Sequence, residues 1–267
     1  MSLLFFKLTA TPLIIALAGW LSGRWGAAAG GWLSGLPLTT GPVSIFLALE
    51  YGLDFAAQSA LGTLLAMPAI AAFGIAYVAG ARRGAGWVAA GITAQLAYFA
   101  VLTLTISISV SVPVWLVFCL GGISLALGLS AVGLRDRPVL RSLSSRSVLF
   151  LRMVVATALV LVITLAAPHL GPLLSGMVST VLVVAGVLAA AGHREHGATG
   201  GIAVIRGMMM GQISFLGFLT VVWAVLPVLG FVAYGIAIAV ALVLGVSATR
   251  LVALLFPARA TPPRQAA

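Results

Sequence analysis

Carboxylates are scarce in this sequence. Glu50, Asp54, Asp136 and Glu195 are the only acidic residues in a chain of 267, and Lys7 is the only lysine. Charged residues make up 7% of the chain, where a soluble globular domain carries about 25%. So little charge cannot cover a water-facing surface, which excludes an ordinary soluble fold. Cysteine is nearly absent as well. Cys119 stands alone in an apolar run, so neither an intramolecular disulfide nor a cysteine-based metal site can form. No nucleophile motif or metal-protease spacing is present. The glycine-rich runs fall inside apolar segments rather than after a strand, which removes a nucleotide-binding loop. With no converging acid, base or metal cluster, the chain reads as a non-enzyme without a cofactor.

What is present is apolar surface. The chain is 62% hydrophobic, its mean hydropathy is +1.23, and runs near the ~20 residues of a bilayer-spanning helix recur from end to end. The expected fold is an all-α polytopic membrane protein with about nine transmembrane helices, over 4–22, 27–52, 55–80, 85–107, 110–133, 148–170, 172–192, 200–226 and 229–255. Residues 1–267 then form a single integral membrane domain. Lys7 interrupts the first apolar run instead of preceding it, which reads as an uncleaved first helix.

The net charge of +10 would suggest nucleic acid in a soluble protein. Here the basic residues lie in short loops and report orientation, so no nucleic-acid partner is expected. Arg24, Arg82, Arg83, Arg135, Arg137, Arg141, Arg146, Arg152, Arg194, Arg206, Arg250, Arg259 and Arg264 fall on one side, and Lys7 alone on the other. That side is cytoplasmic by the positive-inside rule. The expected setting is a bacterial-type inner (plasma) membrane, with the N-terminus outside and the C-terminus in the cytoplasm. Trp20, Trp25, Trp32, Trp87, Trp115 and Trp223 fall mostly near span ends and read as interfacial anchors.

Two stretches match without gaps at an offset of 141: "GGWLSGLPLTTG" at 30–41 and "GPLLSGMVST" at 171–180. Gly30 meets Gly171, Leu33 meets Leu174, Ser34 meets Ser175, Gly35 meets Gly176 and Thr39 meets Thr180. The copies lie in the second and seventh spans, an odd number of spans apart, so their helices run in opposite directions. This is the signature of an inverted-topology repeat. Repeat 1 covers 1–107 (spans 1–4) and repeat 2 covers 148–255 (spans 6–9). Residues 108–147 supply a linking span 5 and a basic cytoplasmic loop, and 256–267 a cytoplasmic tail.

Transporters of this layout bind substrate near the midplane, where helices are interrupted. Pro37 and Pro42 each remove a backbone donor, and the residue before each is steered from helical geometry. A break is expected across Leu36–Gly41, with Thr39 or Thr40 capping a short half-helix that begins near Pro42. The candidate substrate-binding residues are therefore Ser34, Gly35, Pro37, Thr39, Thr40, Gly41, Ser175, Gly176, Ser179 and Thr180. The competing reading is helix packing, for which glycine and hydroxyl residues are equally suited.

Coupling-ion candidates are Glu50 and Asp54, at the outer end of the second span, and the intramembrane amides Gln95 and Gln212. His193 and His196 stand three apart in "HREHG" with no suitable third ligand nearby, so no metal site is expected. The functional expectation is a secondary transporter of a small polar or organic solute. Its partners would be the lipid bilayer and the solute, with a proton or Na+ as candidate coupling ion, and oligomerisation is left open. The alternative is a non-catalytic membrane scaffold or subunit of an envelope or lipid-handling complex.

Overall fold

A computed structural model of the chain describes residues 40–107, 112–131, 146–180 and 183–255, together with 9, 12, 13 and 16. The described residues form seven helices: α1 (Thr40–Tyr51), α2 (Leu53–Arg82), α3 (Trp87–Ile106), α4 (Val112–Ala131), α5 (Arg146–Ser179), α6 (Val183–Leu229) and α7 (Val232–Leu255). No strand occurs among them. Five stretches are long and apolar enough to cross a membrane: Leu53–Arg82, Trp87–Ile106, Thr157–Ser179, Ala189–Leu229 and Val232–Leu251. The chain is an all-helical protein of the multi-pass membrane type. The first expected span (4–22) and the tail (256–267) lie outside the described residues, apart from the four isolated positions.

The centre of the bundle is α2. It packs against α1, α3, α4, α5 and α6. Its most apolar stretch is 61% buried, against 28–39% for the other four. The cause is side-chain size: Ala56, Ala57, Ser59, Ala60, Gly62, Thr63, Ala66, Ala69, Ala71 and Gly74 are all buried. In lipid, where apolar burial gives no drive for helices to associate, small residues bring backbones together and let dispersion and polar contacts act.

α5 and α6 each contain a break, at the boundaries expected between the spans 148–170, 172–192 and 200–226. The backbone leaves helical geometry at Gly171 (φ 73, ψ 171) in α5 and at His196 and Gly197 (φ 68, ψ −166) in α6. Gly52, between α1 and α2, has φ 95 and ψ 166. All three glycines lie in a backbone region open essentially to glycine alone. At Gly197 the chain folds back sharply. A Cβ on Gly200 would strike the Gly192 carbonyl, whereas eight residues of straight helix rise about 12 Å. The expected span 172–192 is divided between the end of α5 and the 183–195 limb of α6, and the expected span 200–226 lies in the 198–229 limb.

Two prolines inside helices, Pro68 and Pro168, have identifiable partners. Pro68 has no N–H for the Leu64 carbonyl one turn back. The Trp115 indole of α4 supplies it, with Nε1 donating to Leu64 O at 3.1 Å. Pro168 leaves the Thr164 carbonyl in the same position, and Tyr51 OH donates to it at 2.9 Å. Trp115 is therefore no interfacial anchor: it is buried and satisfies a backbone acceptor.

Candidate functional site

α1 is described from Thr40, two residues ahead of Pro42, to Tyr51. Of the break expected across Leu36–Gly41, Thr40 and Gly41 are helical instead, and 36–39 lie outside the described residues. Ser34, Gly35, Pro37 and Thr39 lie outside the described residues. Thr40 is half-buried and Gly41 buried at the start of α1. One turn on, the buried Ser44 Oγ lies 2.9 Å from Tyr234 OH of α7.

The second stretch forms the end of α5. Its limb, 172–179, starts with Pro172 and ends at Ser179, and α6 begins at Val183. Ser175, Ser179 and Thr180 are buried. Gly176 is pressed onto α2: a Cβ there would run into the Ser59 carbonyl, and one on Gly62 into the Leu173 carbonyl. Only glycine at both positions permits this crossing.

The hydroxyls of this segment cap its helix end. A helix leaves its last carbonyls unpaired, and in hydrocarbon each must find a donor within the protein. Ser179 Oγ donates to Gly176 O at 2.6 Å, and Thr180 Oγ1 to Met177 O at 2.6 Å. Ser175 Oγ donates to Gly171 O at 2.7 Å, at the break itself. Two residues reach in from other helices. Thr63 Oγ1 of α2 lies 3.1 Å from Gly176 O and 3.4 Å from Ser179 Oγ. Tyr98 OH of α3 lies 2.6 Å from Thr180 Oγ1 and 3.4 Å from Met177 O. With the Thr180 hydrogen committed to Met177, Tyr98 is the donor in that pair.

Ser175, Gly176, Ser179 and Thr180 thus come together at one buried crossing. Among the described residues, no side-chain hydrogen bond joins them to Thr40. Sequence reasoning missed Thr63 and Tyr98, which lie far off along the chain. The nearest signal for Thr63 is the small-residue run "SALGT" at 59–63, which marks a close contact without naming its partner.

The other candidates are separate from this crossing. Glu50 and Asp54 are exposed near the α1–α2 junction. Gln95 and Gln212 are half-buried, and Gln95 Nε2 and Gln212 Oε1 are buried with no hydrogen-bond partner among the described residues. At the far end of α2, Tyr77 OH donates to Ala189 O at 3.0 Å and lies 3.3 Å from His193 Nδ1. Arg194 sits over the Trp87 ring at 5.5 Å, which gathers Arg82, Arg83 and Arg194 at one end of the bundle. Among the described residues, no three His, Cys, Asp or Glu side chains are grouped to hold a metal. Comparison with protein-family models, with curated proteins and with solved structures finds no match.

Proposed function

We propose that the protein is a secondary transporter of a small polar or organic solute, working by alternating access around a site between the broken second and seventh spans. The observation that carries this reading is the broken segment at 171–179: the backbone leaves helical geometry at Gly171, and the short limb that follows ends at Ser179 within the apolar segment 172–192. Interrupted helices with polar ends near the bilayer centre are the common device of such transporters. A half-helix beginning near Pro42 would offer free amides and a partial positive charge to a polar or anionic solute group. Ser34, Thr39, Thr40, Ser175, Ser179 and Thr180 would supply hydroxyls, with Gly35, Gly41 and Gly176 allowing close approach. The unpartnered amide atoms of Gln95 and Gln212 are further donors and acceptors for a solute.

The nine-span inverted repeat belongs to this proposal, and three features support it. The stretches 30–41 and 171–180 match in sequence. Gly52 and Gly197 share one unusual backbone geometry, each leading into a long helix. Tyrosine contacts are reciprocal as well: Tyr98 of the first half caps Thr180 of the second, and Tyr234 of the second pairs with Ser44 of the first. The arginine-rich end is assigned to the cytoplasm of a bacterial-type inner membrane on charge asymmetry alone.

The test is solute counterflow in proteoliposomes, over a panel of small polar and organic solutes. The proposal expects saturable exchange of at least one, reduced about tenfold or more in Thr180→Val as a buried polar contact is lost. No exchange across the panel, with the protein still binding a membrane partner when Ser34→Ala and Thr39→Ala are combined, would support a scaffold instead.

A further inference from the structure

Three arginines converge at one end of the bundle. Arg82 and Arg83 close α2, and a tight turn follows in which Gly84 N donates to Ala81 O and Ala85 N to Gly80 O. Trp87 then opens α3. The third arginine comes from far along the chain. Arg194 stands just before the fold-back at Gly197, and its guanidinium lies over the Trp87 ring, 5.5 Å from the centroid. Arg82, Arg83, Arg194 and Trp87 are all exposed. Of the described carboxylates, Glu50 and Asp54 lie at the opposite end of α2, which leaves Glu195 alone against three arginines. A guanidinium stacked on an aromatic face still presents its N–H fork in its own plane, the geometry that takes phosphate oxygens in pairs.

The surface beside this group selects the carrier of the phosphate. α3 buries Ala90, Ala94, Tyr98 and Leu102 against the bundle and exposes Val88, Ile92, Leu96 and Phe99 on its outer face. This apolar row starts next to Trp87 and rises about 16 Å to Phe99, half of a hydrocarbon core of about 30 Å. Gly86 and Gly91, where an added Cβ would meet nothing within 4 Å, leave space beside the ring and beside the row. A soluble polyanion would use the arginines and leave the row idle, whereas a phospholipid uses both. Basic groups at the cytoplasmic ends of membrane helices are suited to anionic headgroups. We propose that Arg83, Arg194 and Trp87 hold the phosphate headgroup of an anionic phospholipid, with Arg82 adding charge and an acyl chain lying along the Val88–Phe99 row. The lipid bridges the α2–α3 turn and the fold-back at Gly197. This site is independent of the transport reading and serves a transporter or a scaffold equally.

The test is native mass spectrometry of the purified full-length protein, titrated in a neutral detergent with palmitoyl-oleoyl phosphatidylglycerol or with phosphatidylcholine of the same chains. The expected result is saturable binding of phosphatidylglycerol, about tenfold or more tighter than phosphatidylcholine. Arg83→Gln and Arg194→Gln should each weaken it about fivefold, the effect of one basic residue at a charged leaflet. Arg250→Gln, which removes an exposed arginine from α7 at the same end, should leave it unchanged. Dihexanoyl phosphatidylglycerol, with the same headgroup and short chains, should bind about tenfold or more weakly, and inorganic phosphate should not displace the long-chain lipid. Equal affinity for the two long-chain lipids would overturn the site. So would equal weakening by Arg250→Gln and Arg194→Gln, which means diffuse charge, or displacement by inorganic phosphate, which means an anion site without a lipid. The comparisons of lipids use the wild type alone, and they decide the proposal if a variant fails to fold.

Discussion

The indole N–H of Trp115 donates to the carbonyl of Leu64 at 3.1 Å, the acceptor that Pro68 leaves without its helical donor. A proline at the centre of the most buried helix is thus tolerated because a neighbouring helix completes the bond. Trp115→Phe keeps the ring and removes the donor. We expect a loss of about 1–3 kcal/mol, the cost of a buried unsatisfied acceptor. Adding Pro68→Ala restores the helical N–H and should recover most of that loss. A double-mutant cycle on unfolding free energies in mixed micelles checks this, and additive effects would disprove the pairing.

Tyr51 plays the same part for Thr164, behind Pro168. Tyr51 is 37% exposed, so water or lipid headgroups can replace its hydroxyl. Tyr51→Phe should therefore cost less than Trp115→Phe, about 0.5–1 kcal/mol. The same unfolding assay ranks the two.

The crossing of α2 with the 172–179 limb depends on two glycines. Gly62→Ala and Gly176→Ala each force a methyl into a carbonyl of the facing helix. Each should destabilise by about 1–3 kcal/mol, the usual cost of overpacking. Gly121→Ala, whose methyl meets nothing within 4 Å, should be neutral or stabilise by up to about 1 kcal/mol. Equal thermal midpoints for Gly176→Ala and Gly121→Ala would contradict the crossing.

Gly197 acts through conformation rather than space, since a methyl added there meets nothing within 4 Å while its φ is +68°. Gly197→Ala should cost about 1–3 kcal/mol in backbone strain. Limited proteolysis at the 193–199 turn, measured beside the thermal midpoint, should show cleavage increased in this variant and unchanged in Gly121→Ala.

Much of this architecture was legible in the sequence, and the exceptions share a cause. Hydropathy placed spans at 55–80, 85–107 and 110–133, and the helices run Leu53–Arg82, Trp87–Ile106 and Val112–Ala131. Length and apolarity are local properties, so they could be read directly. Pro68 announced an orphaned carbonyl at Leu64, but nothing local indicated that Trp115, 51 residues away, would satisfy it. Thr63 and Tyr98 were invisible for the same reason. The break at Gly171 was legible as the boundary between the expected spans 148–170 and 172–192, and the fold-back at Gly197 as the boundary between 172–192 and 200–226.

The most direct test of a transport site between broken helices uses the chain's single cysteine. In a Cys119→Ala background, cysteines are placed one at a time at Thr40, at Thr180 and at Leu165, which is 71% exposed on the apolar surface. Each is treated with a membrane-impermeant maleimide in sealed vesicles of known orientation. Alternating access predicts that the cysteines at 40 and 180 react from the aqueous phase, while that at 165, facing lipid, does not. Cysteines at 40 and 180 as inert as the one at 165 would contradict it.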